Sequence, residues 1–197
     1  MSENVHWPTA TPVAPAVEQT EYFAVSTPKF VVMSIFTVGL YELYWAYKQW
    51  KTIKARTGAD IMPFWRAFFS GLWGFSLFGQ IKADAERRAI GANWSAGLLG
   101  ALYLVLLVTW RLPDPWWLVS LLSFLPMLPV VQTVERINNA PAHLRNDKYS
   151  GANIAGIIVG PLVLALAVLG MTIDPETEDI TAPPSPNRAS RAAPRPV

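Results

Sequence analysis

The sequence predicts an all-α protein, a helical bundle integral to a membrane with four to five hydrophobic segments, and three observations carry that expectation. Five apolar stretches, Phe30 to Tyr47, Ile61 to Ile81, Gly91 to Trp110, Pro115 to Val134 and Ser150 to Ile173, fill the middle of the chain. The last three are each roughly 20 residues or longer without an Asp, Glu, Lys or Arg, enough helix to cross a hydrocarbon core of about 30 Å. Hydrophobic residues make up 52% of the chain and nine are Trp, a composition that points away from a small soluble domain.

Residues 1–25 and 174–197 are rich in Pro, Ala and Thr without periodicity and read as disordered tails around a membrane domain at 26–173. The N-terminal tail has no Lys or Arg for a signal-peptide n-region, so the first apolar stretch is expected to stay in the mature protein. A helix is expected to start at Ser26-Thr27-Pro28, with Thr27 capping amides and Pro28 in the first turn. It leaves the apolar zone through Tyr41, Tyr44, Trp45, Tyr47, Lys48, Trp50 and Lys51, read as an interfacial belt of rings and snorkelling ammonium groups.

The second stretch carries Arg66, three glycines and many rings, a mixture suited to a re-entrant or interfacial segment. After it, Lys82–Glu86 and Asp84–Arg88 are spaced as i,i+4 pairs on a solvated helical extension. Arg111 to Pro115 is short enough to make the third and fourth stretches an antiparallel hairpin, and Pro126 and Pro129 should bend the fourth. In the fifth, Ala152, Gly156 and Gly160 form a small-residue stripe for close helix packing, inside the bundle or between two copies. Asn138, Asn139, Asn146 and Asn153 around the fourth loop are read as helix-terminating and capping residues.

Basic residues collect after the first stretch (Lys48, Lys51, Lys54, Arg56), after the second (Lys82, Arg87, Arg88) and after the fourth (Arg136, Arg145, Lys148), whereas the hairpin turn holds only Arg111. Five simple spans would divide these loops between two sides. A second stretch that enters and leaves on one face puts them all in the cytoplasm, as the positive-inside bias requires. Whether the first stretch spans or also dips and returns stays open.

The run from Tyr22-Phe23 through Thr37-Val38-Gly39-Leu40-Tyr41-Glu42-Leu43-Tyr44-Trp45-Ala46-Tyr47-Lys48 resembles the opening of a family of small bacterial membrane proteins of unknown function with the pattern Thr-x-Gly-x-Tyr-x-x-Tyr-Trp-x-Tyr-Lys. Pro63-Phe64-Trp65-Arg66-Ala67 and Val134-Glu135-Arg136-Ile137-Asn138-Asn139 extend the likeness over most of 22–170. It implies a multi-pass bacterial inner-membrane protein and brings no substrate, reaction or partner.

Chemistry is sparse. No cysteine is present, and the two histidines, His6 and His143, are too few for a His-rich zinc site. Ser26-x-x-Lys29 lacks the partner motifs of a serine acyl-enzyme, and no cofactor-binding glycine loop occurs. Ionisable groups at membrane depth are functional candidates by default, and Glu42 and Arg66 qualify, as an ion pair joining the first two segments or as two side chains that snorkel separately to the interface. The net charge of +2 makes nucleic acid a poor partner and anionic lipid headgroups natural ones for the basic loops. A partner beyond lipid would be a second copy or another membrane protein. The expected role is non-enzymatic and accessory; the alternative is a small transporter or channel subunit using Glu42 and Arg66.

Overall fold

The computed structural model describes residues 21–139 and 146–172, and every element among them is helical. The helices are α1 (Thr27–Phe36), α2 (Leu40–Thr57), α3 (Pro63–Phe68), α4 (Ser70–Arg87), α5 (Ala96–Val108), α6 (Leu128–Asn138) and α7 (Gly151–Thr172). Short 3-10 segments extend α5 to Arg111 and precede α6, so helical structure runs from Trp116 to Asn138. Pro126 and Pro129 lie where that run changes from 3-10 to α, because neither proline can donate to the preceding turn.

The first apolar stretch is two helices. After Phe36 the chain turns through Val38 and Gly39, both at positive φ, and the Gly39 amide bonds back to the Ser34 carbonyl at 2.9 Å. Glycine suits this turn because it lacks the Cβ that opposes positive φ. Thr37 fastens the corner: its hydroxyl donates to the Met33 carbonyl (2.7 Å) and accepts from the Tyr41 amide at the start of α2 (2.9 Å). Ten residues of α1 rise roughly 15 Å, about half a hydrocarbon core.

Both limbs of this hairpin end on one face, here called basal, since Phe23 before α1 is bonded to Gln49 in the second half of α2. The α3–α4 pair repeats the arrangement. Lys54 of α2 donates to the Ile61 carbonyl before α3 (2.8 Å), and Arg56 reaches Asp84 near the end of α4 (2.7 Å). Two helical hairpins therefore enter from the basal face and return to it.

The other elements run through. The Trp94 indole before α5 donates to Thr133 of α6 (3.0 Å), placing the basal ends of both together, with the Arg111 to Pro115 turn at the opposite end. Helix α7 starts basally beside Ser26, passes the α1–α2 corner at Gly160 and continues to Thr172. The 116–138 run and α7 are each long and apolar enough to cross a membrane; α7 rises roughly 33 Å.

Several expectations are corrected. The ordered chain begins before Ser26: Tyr22, Ala24 and Val25 are core residues. Ser26 rather than Thr27 is the first cap residue of α1, and the Thr27 hydroxyl donates instead to Glu135 (2.5 Å). The aromatic belt divides by helical phase: Tyr41, Trp45 and Trp50 lie on the buried stripe of α2, and only Tyr44, Tyr47, Lys48 and Lys51 face outward. Lys82 and Glu86 do pair, at 3.7 Å, but Asp84 is buried and bonds Arg56 and Arg87 rather than Arg88. The readings of 1–20 and 174–197 as tails, and those of His6, His143 and Arg145, fall outside the described residues.

Candidate functional site

Two polar centres lie within the apolar packing. The basal one holds an extended strap, residues 21–26. Side-chain amides read its backbone as a neighbouring β-strand would: Asn138 accepts from the Tyr22 amide (2.9 Å) and donates to its carbonyl (3.1 Å), while Gln49 does the same for Phe23 (3.0 Å each way). The Ala24 carbonyl accepts from the Asn146 amide and the Ser26 amide donates to Asp147. Lys29, buried at the start of α1, gives its ammonium to the Asn146 and Lys148 carbonyls (2.6 and 2.7 Å) and lies over the Tyr149 ring. Glu135 takes the Thr27 amide (3.2 Å), setting negative charge at the N-terminus of α1, where the helix dipole favours it.

A charged latch closes the strap. The Tyr22 hydroxyl donates to Asp84, which also accepts from Arg56 and Arg87; Arg56 stacks over the Tyr22 ring and, with Arg88, binds Glu21. The two guanidiniums hold the Glu21 carboxyl below the ordinary carboxylate range, Arg56 contributing most. Exposed pairs such as Glu21–Arg88 add little stability singly. The buried Asp84 matters more, because a carboxylate removed from water needs its donors.

The deep centre joins the tips of both hairpins to the through-running helices. Glu42, one helical turn past the α1–α2 corner and 1% exposed, accepts from Ser123 with 2.9 Å to each carboxyl oxygen. The Tyr103 hydroxyl of α5 lies 3.0 Å from that of Ser70 at the α3–α4 tip. Ser123 thus ties its segment to α2 through Glu42, and Ser70 ties the α3–α4 tip to α5 through Tyr103. In an apolar interior each bond is worth keeping, since an unpaired polar group there costs several times what a pair gains.

The expected Glu42–Arg66 ion pair does not form. Helix α3 runs antiparallel to α2, which places Arg66 opposite Trp50, two turns or about 12 Å of rise from Glu42. The Arg66 guanidinium is held between two indoles, 4.5 Å from the Trp50 ring centre and 4.2 Å from that of Trp73. Planar, weakly hydrated guanidinium suits that slot better than an ammonium group.

In the small-residue stripe, Gly156 and Gly160 lie against Phe36 and Thr37 at the α1–α2 corner, whereas Ala152 is exposed and takes no part. Asn139 ends α6 in the left-handed region, as a terminating asparagine does, but Asn138 is spent on the strap. Gln49, Ser123 and Tyr103 are not singled out by the sequence, which reads Asp84 as half of a solvated i,i+4 pair and Lys29 only as part of a Ser-x-x-Lys match. A signal existed for Gln49: it sits four residues from both Trp45 and Ile53, on the stripe that α2 buries.

Comparison with known protein families, with curated proteins and with solved structures finds no match for this chain.

Proposed function

We propose that this chain is a multi-pass membrane protein without catalysis of its own, acting through contacts with lipid and with other membrane proteins. The observation that carries the reading is α7: a helix long enough to span, apolar on every side and, among the described residues, covered along little more than the α1 contact. Such a surface is stable in hydrocarbon and costly in water. The basal face supports it, gathering Lys48, Lys51, Lys54, Arg56, Lys82, Arg87, Arg88, Arg136 and Lys148, while Arg111 lies at the other end. The positive-inside bias makes the basal face cytoplasmic. The motif resemblance extends the proposal to the inner membrane of a bacterium.

The polar centres support an accessory role because their groups are consumed in tying segments together. Among the described residues no three His, Cys, Asp or Glu side chains converge on one point. A transport role would rest on Glu42 and Arg66 lining one water path, and they occupy separate surroundings. Affinity purification from membranes in mild detergent tests the proposal. The chain is expected to require detergent and to bring with it anionic phospholipid and a membrane-protein partner or second copy. Recovery from the cytosol as a compact monomer without detergent would overturn it.

A further inference from the structure

Outside both polar centres, the outer faces of α2 and α3 enclose an apolar groove of about 350 Å³, lined by Leu43, Tyr44, Tyr47, Phe64, Ala67 and Phe68. The volume lies within the range of small-molecule clefts, and Phe64 and Phe68 remain 61% and 59% exposed on its outer wall. Because α2 and α3 are antiparallel, the groove runs along both, from Leu43 and Phe68 near the hairpin tips to Tyr47 and Phe64 nearer the basal face.

Charge stands at the basal end only. Lys48 follows Tyr44 by one helical turn and Lys51 follows Tyr47 by one, so each tyrosine of the wall is continued by an ammonium group on the same side of α2. Lys48 is steadied 5.1 Å above the Phe23 ring, which packs edge-on to Tyr44 at 5.8 Å. Neither lysine forms a salt bridge among the described residues, although Lys54 and Arg56 just beyond are both engaged. An apolar slot ending at two cations that have no carboxylate partner among the described residues is complementary to a hydrocarbon chain carrying an anionic head.

We propose that the α2–α3 groove is a binding site for one acyl chain of an anionic phospholipid, with its phosphate at Lys48 and Lys51. The inference rests on the membrane reading above and adds a defined site and headgroup to it. Photolabelling of the full chain tests it, using phosphatidylcholine vesicles that contain phosphatidylglycerol with a diazirine in its acyl chain. Adducts should concentrate on α2 and α3 over the lipid-facing length of α7. Leu43→Trp, which fills the groove from one wall, should reduce them severalfold while leaving α7 labelling unchanged. Ala67→Phe enters from the other wall and should act alike, with helical circular dichroism confirming that each variant is folded.

Lys48→Gln and Lys51→Gln should each cut the preference for phosphatidylglycerol over an equally labelled phosphatidylcholine about fivefold. Labelling spread evenly over α2, α3 and α7, or undiminished in both filled variants, would overturn the site. Equal use of the two lipids by the unaltered chain would overturn the headgroup assignment. Absence of labelling on α7 as well would instead contradict the membrane reading itself.

Discussion

Gly160→Ala is expected to be among the most damaging single-atom additions to this protein. A Cβ at that position would lie 1.8 Å from the Phe36 carbonyl oxygen and 2.8 Å from its carbon, both backbone atoms at the α1–α2 corner. The corner has little room to yield, since Thr37 is bonded to Met33 and Tyr41 and Gly39 to Ser34. Helix α7 must therefore retreat by more than an ångström and lose its packing on α1. Overpacking of this kind costs roughly 1–3 kcal/mol, or more when backbone is struck, against the ~1 kcal/mol that alanine gains over glycine in helix propensity. Gly156→Ala meets a side-chain methyl, that of Thr37 at 2.9 Å, and should fall between. Gly170→Ala meets nothing within 4 Å among the described residues and should be neutral or slightly stabilising. Thermal unfolding of the three variants in detergent should give that order, and a Gly160→Ala protein as stable as Gly170→Ala would contradict the packing described.

Gln49→Leu should release the strap. Leucine fills similar space but leaves the Phe23 amide and carbonyl without their partner, beside a fully buried position. Each buried backbone group left unpaired costs about 1–3 kcal/mol, so the loss is expected to reach roughly 2–4 kcal/mol once partial rehydration is allowed for. Gln49→Glu keeps the acceptor but loses the donor and brings a charge into the same place, so it should be no milder. The readout is the unfolding midpoint together with protease cleavage at Tyr22 and Phe23, which the folded chain should resist. Unchanged protection in Gln49→Leu would mean that the Asp84 latch and the bonds to Asn138, Asn146 and Asp147 hold the strap without Gln49.

Helix content, the 116–138 and 151–172 runs and the hairpin between α5 and the following run were legible because long charge-free stretches leave few alternatives. The second stretch folds back so that the end of α4 lies beside the end of α2, a path compatible with the charge placement, which sets the basic loops after both stretches together. The break in the first stretch was harder: Val38-Gly39 inside apolar sequence reads equally as a helix interior with one weak residue, and the Thr37 bonds that make it a corner join groups that sequence does not show as neighbours. The division of the α2 rings failed for a related reason. Where nearly every position from Tyr41 to Trp50 is aromatic or long, the 3.6-residue period leaves no contrast to read. The Glu42 carboxyl meets not Arg66 but Ser123, a neutral group far away in sequence that offers no charge pattern to read. Gln49, Asn138 and Asp84 were hidden similarly: each looks like an ordinary polar helix residue until the strap is laid across it.

We propose a topology in which the two hairpins enter a membrane from the basal face and leave by it, while the 116–138 run and α7, each long and apolar enough, cross it. Single cysteines placed in this cysteine-free chain, and labelled with a membrane-impermeant maleimide in intact and in opened cells, test it most directly. Cysteines replacing Thr57, Arg87 and Lys148 should all react only once the cytoplasmic side is exposed, and one replacing Asp114 should react from outside. Labelling of Thr57→Cys and Arg87→Cys from opposite sides would mean that the α3–α4 segment crosses, and the account would fail.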